Sequence, residues 1–128
     1  MYVDLDMIFA QIKKDDRLKE TSDLLLKSEE KQYTSALTLV ELEIVLKREV
    51  SDFLSKETAG LFREKFPRIL IVGFDKKILE KSLELRQKYD LGIFDSVHAA
   101  TALRYDKRIA STDAVFERVL GLKIIQKQ

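Results

Sequence analysis

Four acids stand inside stretches that are otherwise apolar, and they constrain the fold more than any other feature of the chain. Asp4 lies in Tyr-Val-Asp-Leu (2–5), and Glu41 in Ser-Ala-Leu-Thr-Leu-Val-Glu-Leu (35–42). Asp95 lies in Leu-Gly-Ile-Phe-Asp-Ser-Val (91–97), and Asp113 in Ile-Ala-Ser-Thr-Asp-Ala-Val-Phe (109–116). An ionised carboxylate beside buried residues is costly unless it is paired or binds a metal. Each of the four therefore reads as part of a site. A fold that gathers them around divalent metal answers the constraint.

The intervening sequence alternates between strand and helix. Residues 2–5 read as a short buried strand, followed by a helix over 7–12. Asp15 and Asp16 open a second helix, with acids suited to its N-terminal end; Leu18, Leu24, Leu25 and Leu26 give it an apolar face. Residues 33–37 suit a strand. A helix over 38–50 carries Leu39, Leu42, Leu46 and Val50 on one stripe, widened by Val40 and Ile44. Thr38 and Glu41 match a capping box at its start.

A further amphipathic helix covers 51–66 and is closed by Pro67. Residues 69–74 form an apolar run that reads as a fully buried strand. Asp75 caps a helix to about residue 89, with Ile78, Leu79, Leu83 and Leu85 inward, and 90–92 form a loop. An Ala-rich helix spans 94–105, a strand 108–111, a helix 113–120 and a last strand 122–125, with Gly121 as the C-cap between them.

This alternation predicts one domain over residues 1–128: a three-layer α/β/α fold around a mostly parallel sheet of about four to five short strands. In such sheets sites form beyond the carboxyl ends of the strands. Asp4 and Asp113 fall at strand ends, and Glu41 and Asp95 in first helical turns, so all four reach one edge.

Carboxylates sharing a pocket repel one another, and a hard divalent cation resolves this. Oxygen donors without Cys suit Mg²⁺ or Mn²⁺ rather than Zn²⁺. One such ion activates water and neutralises phosphodiester charge; two ions about 4 Å apart clamp the attacking and leaving oxygens. Around the four, Asp6 suits the surroundings of the metal or an N-cap. Ser111 and Thr112 suit a hydroxyl that orients Asp113 or a metal-bound water, or a cap, which Thr112 favours. His98, the only histidine, lies one turn after Asp95 and can bond it or a phosphate; a packed, hydrogen-bonded His is the simpler reading.

Most of the 22 Asp plus Glu belong to solvated helix faces. Asp75 reads as a cap, and Glu29, Glu30, Glu80 and Glu84 as surface acids among lysines. Basic clusters at Lys13-Lys14-Arg17, Lys47-Arg48 and Arg63-Lys65-Arg68 suit solvated faces or a nucleic-acid backbone. Apolar positions near Leu46, Val50, Phe53 and Leu54 suit either core packing, a dimer or a partner helix.

The order and context of the acids resemble the PIN domain family, and within it the VapC-type toxin ribonucleases of toxin–antitoxin pairs. Val3-Asp4-Leu5-Asp6 is similar to the family's opening strand. Thr38-Leu39-Val40-Glu41-Leu42 is similar to the segment carrying its catalytic Glu. Phe94 to Leu103 resembles its Asp-led, Ala-rich helix, and Ser111-Thr112-Asp113-Ala114-Val115-Phe116 its final segment. The resemblance implies Mg²⁺- or Mn²⁺-dependent cleavage of RNA and a homodimer. It also implies a cognate antitoxin whose tail occupies the acidic groove. Two positions depart from the pattern: the family often has Asn, Ser or Thr where Asp6 stands, and many members have an acid where Val115 stands.

Two other readings compete. Asp4-Leu5-Asp6 mimics the Asp-x-Asp of haloacid dehalogenase-like phosphatases, but Ile8 replaces the usual Thr or Val, no late Asp-Asp pair exists, and Glu41 goes unused. A PIN-like module kept only for binding has no reason to bury repelling carboxylates. Composition narrows the class without choosing among these. With 45% hydrophobic and 35% charged residues, a net charge of +1 and no Cys, the chain suits a globular cytoplasmic protein. No apolar run reaches the roughly 18 residues of a membrane span, and no signal peptide is expected. The lack of Asn beside abundant Lys and Glu leans towards a thermophilic source.

Overall fold

A computed structural model describes residues 1–13 and 17–125; the expected helix start at Asp15 and Asp16, and Lys14 of the first basic cluster, lie outside them. Five strands, β1 (Tyr2–Val3), β2 (Gln32–Ser35), β3 (Ile69–Val72), β4 (Arg108–Ala110) and β5 (Lys123–Ile125), form one sheet in the order β3-β2-β1-β4-β5. Every pairing is parallel; Tyr2 is in register with Tyr33 on one side and Ile109 on the other. Parallel neighbours need crossovers, and the helices supply them. These are α1 (Leu5–Ile12), α2 (Lys19–Leu26), α3 (Ala36–Glu49), α4 (Asp52–Lys56), α5 (Thr58–Lys65), α6 (Lys76–Tyr89) and α7 (Ile93–Arg104).

Alternation along the strands builds two cores, because successive side chains point to opposite faces. Tyr2 and Ile109 face a core with Ile78, Leu85, Val97, Ala99, Ala100 and Phe116. Their neighbours Val3 and Ala110 face the other, with Met7, Ile8, Leu42, Leu46 and Phe62. Helices α6 and α7 thus cover one face and α1, α3 and α5 the other, giving the expected three layers. Small side chains in α7 let it lie close: Ser96, Ala99, Ala100, Thr101 and Ala102 are all buried.

Several local expectations are corrected. The apolar run at 69–72 is an edge strand, not a fully buried one: Leu70 and Ile71 are 50% and 49% exposed. Its apolarity reflects β-branched fit to the sheet rather than burial. The helix expected over 51–66 is two helices. The one expected over 113–120 is a 3₁₀ segment, Ala114–Arg118. Leu24, Leu79 and Leu83 are exposed, as are Val40, Ile44, Val50 and Phe53, whereas Leu46 is fully buried. Ser35, not Thr38, caps α3, its side chain accepting from Leu37 N–H. Thr38 sits buried inside the helix, so the capping box with Glu41 does not form. Asp75 caps α6 as expected, accepting from Ile78 N–H at 2.9 Å.

Candidate functional site

Each sequence-selected acid leaves the sheet at its carboxyl edge or in the first turns of a following helix. Asp4 comes directly after β1. Its N–H still donates to Ala110 O at 3.1 Å, so the sheet ladder fixes its backbone. Its side chain caps α1 by accepting from Leu5 N–H at 2.8 Å. The same carboxylate accepts from Ser111 Oγ at 2.6 Å, and Ser111 Oγ in turn accepts from Asp113 N–H at 3.0 Å. One hydroxyl directly after β4 therefore ties Asp4 to the segment that carries Asp113.

Asp113 caps the 3₁₀ segment itself, accepting from Val115 N–H at 3.0 Å. Thr112 is not the cap. Its N–H and Oγ1 both donate to Asp6 Oδ2, at 2.9 and 2.7 Å. Asp6 Oδ1 is buried and has no hydrogen-bond partner among the described residues. Asp95 lies in the first turn of α7, where an acid complements the helix dipole. Glu41 lies on the second turn of α3, and its Oε1 is 2.8 Å from His98 Nε2. His98 therefore bonds Glu41, not Asp95, and its Nε2 also stands 3.7 Å from Asp4 Oδ1.

The other nitrogen of His98 reveals a group the sequence reading passed over. Nδ1 is 2.5 Å from the Tyr2 hydroxyl, which is 2.9 Å from Thr38 Oγ1. Tyr2 looked like one more apolar strand residue. The available signal was its hydroxyl, because a buried Tyr normally finds a polar partner.

The electrostatics join these side chains into one site. Burial pushes the Asp4 carboxyl up to about 7; nearby Asp6 adds to this, while His98, Ser111 and Leu5 N–H oppose it. Burial likewise raises Asp6, against the Thr112 hydrogen bonds, with Asp113 adding to the rise. Asp95 is raised by burial, eased by His98, and raised further by Asp113, Glu41 and Asp6. Burial alone would lower His98, but Tyr2, Glu41 and Asp4 together hold it well above its usual range. Five acids and one histidine thus feel one another at one edge of the sheet.

This donor set suits a hard cation: all the acids offer oxygen, they repel one another, and a buried Asp6 oxygen lacks a donor among the described residues. Their placement is looser than their chemistry. Among the described residues, no three Asp, Glu or His side chains converge on one ligating point. Four of the five carboxylates instead turn to a nearby donor: Asp4 to Ser111, Glu41 to His98, Asp6 to Thr112, Asp113 to Val115 N–H.

The basic residues Lys47, Arg48, Arg63, Lys65 and Arg68 are exposed, and Arg48 pairs with Glu49. Among the described residues, no helix is long and apolar enough to cross a membrane.

Comparison with known proteins bears on the family and the fold. The PIN domain family model matches residues 1–122. No curated protein matches in sequence. The Mycobacterium tuberculosis toxin VapC20, described as cleaving the sarcin–ricin loop, superposes with a TM-score of 0.77 at 16% identity, over 95% of this chain and 98% of its own. VapBC2 from Rickettsia felis, bound to a DNA fragment from its promoter, gives 0.73 at 18% identity, over 97% and 96%. A toxin–antitoxin complex from Klebsiella pneumoniae gives 0.71 at 18% identity, over 97% and 94%. At these identities the superpositions speak for the fold.

Proposed function

The chain belongs to the PIN domain family, and from that membership we propose that it is a Mg²⁺- or Mn²⁺-dependent endoribonuclease, the toxin of a toxin–antitoxin pair. Asp4, Glu41, Asp95 and Asp113 would hold one or two ions. A bound ion would supply charge neutralisation at the phosphodiester and acidify the attacking water.

The chain's own residues do the remaining work. Ser111 holds Asp4 by donating to Oδ2, and His98 holds Glu41 through Nε2. One carboxylate of the set orients the attacking water and takes its proton. Asp6, held by Thr112, adds negative charge beside Asp4 and Asp113.

What supports this reading most is Asp4. A carboxyl held near 7 by burial, with neighbouring acids raising one another, has a strong demand for a cation. The toxin–antitoxin complexes among the structures of like fold support a cognate antitoxin; a homodimer and a cytoplasmic setting complete the proposal.

The test is incubation of the purified chain with separate RNA and DNA pools, with Mg²⁺, Mn²⁺ or EDTA. Cuts in RNA that need the metal support the reading; cuts in DNA alone, or cuts that survive EDTA, oppose it. The lack of a three-residue ligating point among the described residues favours a second reading, a PIN-fold binding module without catalysis. Failure of Mn²⁺ to bind would select that one.

A further inference from the structure

We propose that Asp6 is a further ligand of the metal, through its Oδ1 atom. This rests on the reading of the acidic edge as a metal-dependent nuclease site.

Three consecutive residues after β4 gather three acids. Ser111 Oγ donates to Asp4 Oδ2 at 2.6 Å. Thr112 donates twice to Asp6 Oδ2, from its N–H at 2.9 Å and from Oγ1 at 2.7 Å. The third residue is Asp113 itself, whose N–H returns to Ser111 Oγ at 3.0 Å. Asp6 is thus tied to the residue that precedes Asp113. The charges act on one another accordingly: Asp6 on Asp4 and Asp95, and Asp113 on Asp6.

The ordinary roles for an acid at this position are taken or missing. Asp4, not Asp6, caps α1. Among the described residues Asp6 forms no ion pair. Both Thr112 donors go to Oδ2. The Met7 N–H favours the charged carboxylate, but its own hydrogen bond runs to Asp4 O at 3.2 Å. Oδ1 is left buried with no hydrogen-bond partner among the described residues. A buried carboxylate oxygen in that state is costly unless an ion takes it.

The two Thr112 bonds give the bare oxygen its use. They fix Oδ2, so the side chain presents Oδ1 in one place, and a supporting bond behind a ligating group is the usual arrangement at metal sites. Mg²⁺ is bound through one or two carboxylates, with water completing its shell. Asp6 therefore needs only one more acid, and Asp113, directly after Thr112, is the one held beside it. No convergence of three side chains is required.

The test is Mn²⁺ binding by the full chain without RNA, measured by calorimetry and by the spin-resonance signal of free Mn²⁺, with circular dichroism to show that each variant is folded. Asp6→Asn keeps the shape and an oxygen for Thr112 but loses the charge. Asp6→Glu keeps the charge but moves the oxygens off the Thr112 anchor. A ligand needs both charge and place, so both variants are expected to lose at least the roughly 10–100-fold that removal of a supporting partner costs. If Asp6→Glu does not fold, Thr112→Val reads the same point. It keeps the Asp6 charge and removes the Oγ1 bond, and affinity is expected to fall by about tenfold. Without metal, Asp6→Asn is expected to be at least as stable as the native chain, because a charge that its acidic neighbours repel is gone.

Native affinity in Asp6→Asn would overturn the proposal. Native affinity in the charge-keeping variant would do the same, because charge alone would then account for Asp6. A marked loss of stability in metal-free Asp6→Asn would make Asp6 a structural residue and also overturn it. Absence of Mn²⁺ binding by the native chain would overturn the nuclease reading together with this proposal, whereas native binding indifferent to Asp6 would overturn this proposal alone.

Discussion

Ser111 and Asp4, 107 positions apart in the chain, share a hydrogen bond of 2.6 Å in the buried edge of the sheet. The bond exists because β1 and β4 are adjacent and in register, Val3 opposite Ala110, so the residues that follow each strand meet. Ser111→Ala removes a donor that lowers the Asp4 pKa, so this carboxyl should rise from about 7. Metal affinity is predicted to fall about 10–100-fold, while the fold persists. Titration with Mn²⁺ followed by calorimetry checks this; unchanged affinity would remove Ser111 from the site.

The metal-free chain should lose stability as pH rises. The Asp4 carboxyl has an ordinary value of 3.8 and sits at about 7 in the fold. Between those values the folded chain keeps a proton that the unfolded chain has released, so stability falls across that window. The full swing is roughly 4 kcal/mol. His98 acts in the same direction at higher pH: its raised value gives stability that is fully present below 6.5 and lost as pH rises through the folded value. Urea unfolding at pH 5 and pH 8 measures the slope. Asp4→Asn is predicted to flatten the Asp4 part and to be more stable than the native chain at pH 8.

Divalent metal should reverse that loss. A ligand that binds only the folded state at 100 times its Kd adds about 2.7 kcal/mol, enough to raise Tm by several degrees in a domain of this size. The gain should be larger at pH 8 than at pH 5, because the ligating carboxylates must be ionised. Thermal melts with Mn²⁺, and with Mn²⁺ plus EDTA, check both points. A Tm indifferent to metal at both pH values would count against the site.

Asp75 provides a control outside the site. It caps α6 through Ile78 N–H and lies 3.6 Å from Arg104. Asp75→Ala should cost about 1 kcal/mol of stability through the lost cap and leave the RNA cleavage rate within about twofold, since α6 contributes no acid to the site. A large loss of cleavage at unchanged stability would mean the site extends further than described.

Much of this organisation is legible in the sequence, and the limits have physical causes. Apolar runs carrying single acids locate the strand ends and the first helical turns, because an acid there is hard to explain otherwise; Asp4, Asp95 and Asp113 stand out on that ground. Pairing is less legible. Thr38 matches a cap pattern, but Ser35 takes that role because β2 ends early enough for α3 to begin at Ala36. His98 sits one turn from Asp95 on the same helix, yet bonds Glu41 across to α3. Spacing within one helix says nothing about which neighbouring helix packs against it. Leu70 and Ile71 look like core residues in a one-dimensional pattern, and only the strand order puts β3 at the edge. The buried contacts that join Thr34 Oγ1 to Thr38 Oγ1 and Thr38 Oγ1 to the Tyr2 hydroxyl, 2.9 Å each, are invisible to periodicity, since they depend on β1 lying beside β2.

The most direct test is the initial rate of RNA cleavage at saturating Mn²⁺ for the native chain and for Asp95→Asn, with circular dichroism to show that both are folded. The Asp95 side chain makes no hydrogen bond among the described residues, and its carboxyl is raised by burial and by its acidic neighbours, so the change should leave stability intact or improved. We predict metal-dependent cleavage by the native chain and a loss of about 100-fold or more in the variant, as for removal of a group that stabilises the transition state. Equal rates for two folded proteins would contradict the assignment of these acids as the catalytic site.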